Sequence, residues 1–87
     1  MNEEEYNELK DVELHFESLY NGCYTYVGEL DGTPVTFEGG RASYEDAYYL
    51  ELEKTHKLSE LCYAPKLWRV KREDGKIIVS PNPLYYY

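Results

Sequence analysis

Eighty-seven residues are enough for one hydrophobic core and too few for two, so a single domain over residues 1–80 with an extended tail at 81–87 is expected. Nine Lys and Arg against seventeen Asp and Glu leave a formal charge of −8, which speaks against direct binding to nucleic acid or to an anionic membrane. No apolar run approaches the ~18 residues of a spanning helix, and the start Met1-Asn2-Glu3-Glu4-Glu5 lacks the pattern of a secretory signal. A soluble cytoplasmic protein is expected, in the host cytoplasm if phage encoded, with Cys23 and Cys62 as free thiols.

From Asn2 to Tyr20 there is no Gly or Pro, and Tyr6, Leu9, Val12, Phe16, Leu19 and Tyr20 recur at three- to four-residue spacing, the mark of an amphipathic helix. Asn2 offers the N-cap, Glu3, Glu4 and Glu5 suit the first turn, and Asn21-Gly22 supplies a left-handed stop. A competing reading takes Val12, Leu14, Phe16 and Tyr20 as strand alternation running into an Asn-Gly hairpin. It accounts for Leu14, which the helix leaves on its polar face. The helix fits more positions and is preferred.

Cys23 to Leu30 and Pro34 to Phe37 flank Asp31-Gly32 and predict a β-hairpin, after which Glu38-Gly39-Gly40 should break the strand. Ser43 with Asp46 begins a second predicted helix that runs to Cys62, although Glu51 falls inside its apolar arc and Tyr48, Leu50 and Leu52 alternate as in a strand. Leu67 to Arg72 and Lys76 to Ser80 enclose Asp74-Gly75 in a second hairpin. Pro81, Pro83 and the closing Tyr85-Tyr86-Tyr87 should be extended. The expected fold class is α+β: helix-hairpin-helix-hairpin (αββαββ), an antiparallel sheet with helices on one face. The two Asp-Gly turns hint at a duplicated αββ unit.

Charge is unevenly spread. Residues 1–20 hold seven acids against Lys10 alone, a local −6, whereas residues 63–87 hold five bases against Glu73 and Asp74, a local +3. On the predicted first helix Glu4, Glu8, Asp11 and His15 form one stripe. Such a stripe either imitates a row of phosphates before a cationic groove or simply keeps a small protein soluble.

Eleven tyrosines supply contact area that is cheap in entropy. Several belong in the core. On a strand Tyr24 and Tyr26 share one face while Cys23, Thr25 and Val27 share the other, and Tyr49 lies on the charged side of the second predicted helix. Candidate partner contacts are therefore Glu4, Glu8, Asp11, Tyr24, Tyr26, Tyr49, Tyr85, Tyr86 and Tyr87. Trp68 reads as a core anchor.

His15, His56, Cys23 and Cys62 match no nucleophile elbow, P-loop or zinc spacing, so no catalytic residue, no metal and no cofactor is expected. The composition favours a binding protein, as monomer or homodimer. The leading expectation is a small acidic inhibitor that blocks a basic, nucleic-acid-handling host protein or defence complex by nucleic-acid mimicry. Phages and mobile elements use such inhibitors, and the parallel rests on size, charge and Tyr content alone. A structural or assembly module with a Tyr-rich interface is the alternative, and a small-ligand binder a third.

Overall fold

The computed structural model describes residues 1–20, 23–41, 54–62 and 64–82. Among them the chain runs α1 (Glu3–Leu9), β1 (Glu13–Tyr20), β2 (Cys23–Leu30), β3 (Thr33–Arg41), β4 (His56–Lys57), α2 (Leu58–Leu61), a 3₁₀ turn (Pro65–Leu67), β5 (Trp68–Glu73) and β6 (Lys76–Pro81). The six strands form one mixed sheet in the order β4-β1-β2-β3-β6-β5. Neighbours are antiparallel except for β3 and β6, which run parallel. This overturns the αββαββ expectation, and with it the duplicated unit: the protein is mostly sheet, and its helices among the described residues are short.

α1 begins as the sequence predicts. The Asn2 side chain accepts from the Glu5 N–H at 2.8 Å and the Glu5 carboxylate accepts from the Asn2 N–H at 2.9 Å, a reciprocal capping box. The helix then ends at Leu9 instead of Tyr20. Continued, it would carry Leu14 to solvent; as part of β1, Leu14 is 0% exposed. Burying one leucine is worth about 1.5–3 kcal/mol, which exceeds the few tenths per residue that helix propensity contributes.

β1 contains a bulge. Phe16 stands opposite Tyr26 and Ser18 opposite Thr25, so Glu17 is the extra residue. The insertion shifts the alternation and brings Leu19 opposite Tyr24, on the side that Leu14 and Phe16 share. Spacings of two and then three residues thereby imitate a helical period.

Both Asp-Gly hairpins form as expected. Asp31 and Gly32 have φ of 50° and 86°, Asp74 and Gly75 of 53° and 72°, the paired left-handed conformation of a turn that matches strand twist. Gly39-Gly40 does not break β3, contrary to expectation. Thr25 pairs with Glu38 and Cys23 with Arg41, so the two glycines together face Tyr24 in a second bulge. A Cβ on Gly39 would lie 2.0 Å from the Tyr24 ring, so the missing side chain is what admits the ring.

The strand registers align Phe16, Tyr26, Phe37, Val79 and Val70 as one row across five strands. The row lies on the core face with Val35, Ile77 and Trp68, and Leu9, Leu58 and Leu61 of the helices join the same cluster. Trp68 is buried, as expected, with its ring centroid 4.6 Å from that of Phe37. The α-amino group of Met1 donates to the carbonyls of Pro65 and Trp68, tying the start of α1 to β5. α2 is tied to the α1–β1 link by Leu58 N–H to Val12 O at 3.0 Å and Ser59 N–H to Lys10 O at 3.1 Å. Of the second predicted helix, residues 43–53 lie outside the described residues, and the rest holds β4 and α2.

Two measurements check this core. Gly39→Ala should destabilise the fold by about 1–3 kcal/mol in urea unfolding, and a double-mutant cycle with Tyr24→Leu should recover much of that as coupling. Burial pushes the Tyr26 phenol from 10.0 to about 12, with Tyr24 adding to the shift, and pushes the Cys62 thiol from 9.0 to about 11. The fold thus favours both neutral forms: their contribution is complete below pH 9 and is lost as pH rises through 9–11 for Cys62 and 10–12 for Tyr26. Urea midpoints should fall over that range, by an unfolding free energy on the order of 2–3 kcal/mol per group, and Tyr26→Phe should flatten the upper part.

Candidate protein-interaction surfaces

The acidic residues do not make the predicted helical stripe. Glu4 and Glu8 lie on α1, Asp11 in the turn after it and His15 in β1. Glu8 is engaged by Arg72, whose guanidinium donates to it at 2.5 Å, and the His15 Nδ1 lies 3.0 Å from the Thr55 hydroxyl. What the fold exposes instead is a set of carboxylates on α1, in the turn after it and on β1. Glu3, Glu4, Asp11, Glu13 and Glu17 are exposed, and none has a hydrogen-bond or ion-pair partner among the described residues. The bulge explains why Glu17 is exposed: as the residue without a cross-strand partner, it is not drawn toward the core.

The tyrosines fall out differently from expectation. Tyr24 and Tyr26 are core residues, Tyr26 with 0% exposure, and neither ring is offered to a partner. Tyr26 packs edge-on to Phe16 and Tyr24 with centroids 5.8 and 5.9 Å away, and Tyr24 stacks on Phe37 at 6.4 Å. Such pairs add about 0.5–1.5 kcal/mol each beyond area burial, which is the physical reason these rings turn inward. No buried side-chain polar atom among the described residues lacks a partner, so both phenols are accommodated. Tyr49, Tyr85, Tyr86 and Tyr87 lie outside the described residues.

The apolar surface that the fold exposes is at the end of β1, where Leu19 is 46% and Tyr20 76% exposed. The helical periodicity predicts both in the buried arc, and the structure exposes them. The signal that marks them is the Asn21-Gly22 pair directly after them: in the hairpin reading they are the last residues of a strand, furthest from the core. With Glu17 two and three residues before them, they make a small apolar tip with one exposed carboxylate close by in sequence.

At the opposite end of the sheet β5 is basic. Arg69 and Lys71 pair with Ser80 and Ile78, on the face opposite to the core. The Arg69 Nε donates weakly to the Ser80 hydroxyl at 3.4 Å, and Lys71 lies 3.2 Å from Glu73. The sheet therefore runs from an acidic side at β1 to a basic edge at β5.

Among the described residues no group of three or more His, Cys, Asp or Glu could hold a metal ion, and no helix is long and apolar enough to cross a membrane. His56 Nδ1 lies 2.8 Å from Glu60, with its ring edge-on to Tyr26 at 5.8 Å. Both thiols are free: Cys62 is buried, with its pKa raised to about 11, and Cys23 is exposed. A buried thiol with a raised pKa holds little thiolate and is a poor nucleophile.

Comparison with known proteins finds no matching family model, no similar curated protein and no matching solved structure.

The Glu8–Arg72 pair joins two half-exposed side chains, so Glu8→Gln should cost less than about 1 kcal/mol in thermal unfolding and the loss should shrink with salt.

Proposed function

We propose that this chain is a small acidic binding protein that docks, in the cytoplasm, on the basic surface of a nucleic-acid-handling protein and blocks it, its carboxylates taking the place of phosphates. The observation that carries the reading is the set of five exposed carboxylates without a partner among the described residues, Glu3, Glu4, Asp11, Glu13 and Glu17, in the same N-terminal segment as exposed Leu19 and Tyr20. Charges of one sign steer a cationic partner over roughly a Debye length, about 8–10 Å at ordinary salt. An exposed tyrosine and leucine supply the desolvated anchor that charge alone lacks. The mimicry is one of charge density and not of a helical phosphate spacing, since α1 ends before Asp11.

The second reading, an assembly module, draws on the same Leu19–Tyr20 tip and treats the acids as solubilising. The two readings differ in salt dependence and in which residues matter. Tagged protein is mixed with a nuclease-treated bacterial lysate and washed with rising salt, using the native chain, the quadruple variant Glu3→Lys/Glu4→Lys/Asp11→Lys/Glu17→Lys, and Leu19→Ser/Tyr20→Ser. Blocking predicts a nucleic-acid-handling partner that leaves at moderate salt and is lost from both variants. A partner that resists salt and survives the charge reversals establishes the assembly module instead.

A further inference from the structure

We propose that the outer edge of β5 receives an extended acidic segment of a partner protein, which adds to the sheet as a further strand. β5 ends the sheet, with β6 on one side only. The two-residue Asp74-Gly75 turn makes Glu73 and Lys76 a hydrogen-bonded pair, and alternation makes Lys71–Ile78 and Arg69–Ser80 bonded pairs as well. The same phase requires Leu67 and Asn82 to bond, and the Asn82 N–H does donate to the Leu67 carbonyl at 2.8 Å. The backbone N–H and C=O groups of Trp68, Val70 and Arg72 therefore point away from β6.

One of these groups shows that the edge can hold a donor, because the Trp68 carbonyl accepts from the α-amino group of Met1. That contact also bounds the edge at one end. The outward backbone groups of Val70 and Arg72 meet no partner among the described residues and form the frame that strand addition uses.

Charge selects the occupant. Arg69 and Lys71 lie on the face opposite to the core, Lys66 and Lys76 are exposed nearby, and this basic stretch belongs to a chain of −8. A strand laid along β5 sets its own alternate side chains beside Arg69 and Lys71, where glutamate or aspartate is favoured and lysine opposed. Lys71 is already 3.2 Å from Glu73, but an exposed pair of this kind is worth little and exchanges readily. Charged edges commonly serve only to keep copies of a protein apart. Here the same charges do forbid β5 from pairing with β5 of a second copy, since bases would face bases, yet they welcome a strand of opposite sign.

The test is amide hydrogen exchange read by NMR on the native chain, with a short capped peptide of alternating threonine and glutamate and its threonine–lysine counterpart. The glutamate peptide should slow exchange at Val70 and Arg72 and leave Arg69 and Lys71, already bonded to β6, unchanged. The exposed double variant Arg69→Glu/Lys71→Glu should bind the glutamate peptide about tenfold more weakly and prefer the lysine peptide. Unchanged exchange at Val70 and Arg72, an equal response to both peptides, or protection of this edge by self-association without peptide would each overturn the proposal. If the double variant fails to fold, the two peptides on the native chain decide the matter. The Asp11→Lys and Glu17→Lys reversals, in the turn after α1 and on β1, should leave this binding intact, which separates it from the docking surface of β1.

Discussion

Tyr26 sits where the demands of the fold meet. Its strand is flanked by β1 and β3, its ring touches Phe16, Tyr24 and His56, and its neighbour across β3 is Phe37, whose ring reaches Trp68. A sheet with one buried face tolerates no error of register, because a slip of one residue would turn every core side chain outward. The row of Phe16, Tyr26, Phe37 and Val79 fixes that register across β1, β2, β3 and β6, and both bulges serve it. The bulge at Glu17 keeps Leu19 on the core side after Phe16, and Gly39 makes room for Tyr24 beside Phe37.

This inward use of aromatic rings determines what is left for recognition. A tyrosine-rich chain suggests a tyrosine-rich interface, but Tyr24 and Tyr26 are consumed in holding the sheet. On the described surface, the groups left free for contact are exposed charges, the outward backbone of β5 and Leu19 with Tyr20. On the strands the separation of charge is a consequence of topology: Glu13 and Glu17 lie on β1, Arg69 and Lys71 on β5, and the strand order places three strands between them, while α1 brings Glu8 to Arg72.

Local signals were legible in the sequence where the structure is local. The capping box of Asn2 and Glu5, both Asp-Gly turns with their left-handed φ angles, and the burial of Trp68 each follow from a few adjacent residues. β1 was misread because periodicity assumes an unbroken strand. With Glu17 bulged out, Leu14, Phe16 and Leu19 stand at intervals that a helix also satisfies, and Leu14 alone carried the contrary signal. Gly39-Gly40 was misread for a related reason: its role is set by Tyr24, a residue distant in sequence, and no local rule distinguishes a glycine that ends a strand from one that admits a ring. The parallel pairing of β3 with β6 left no local signal either, since it joins segments about forty residues apart. The candidate site inherited these errors. Acids were correctly assigned to the surface, but their alignment into a stripe depended on a helix that stops at Leu9.

The two ends of the sheet impose different chemistry on any partner. Side chains dominate at β1, where carboxylates act over distance and Leu19 with Tyr20 act on contact, so affinity there should be sensitive to salt and tolerant of the partner's backbone. At β5 the outward N–H and C=O groups demand an extended backbone in register, and Arg69 and Lys71 then discriminate among the strands that satisfy it. On the proposed readings, β1 and β5 present opposite charge on strands with three others between them, so each would select its own class of partner.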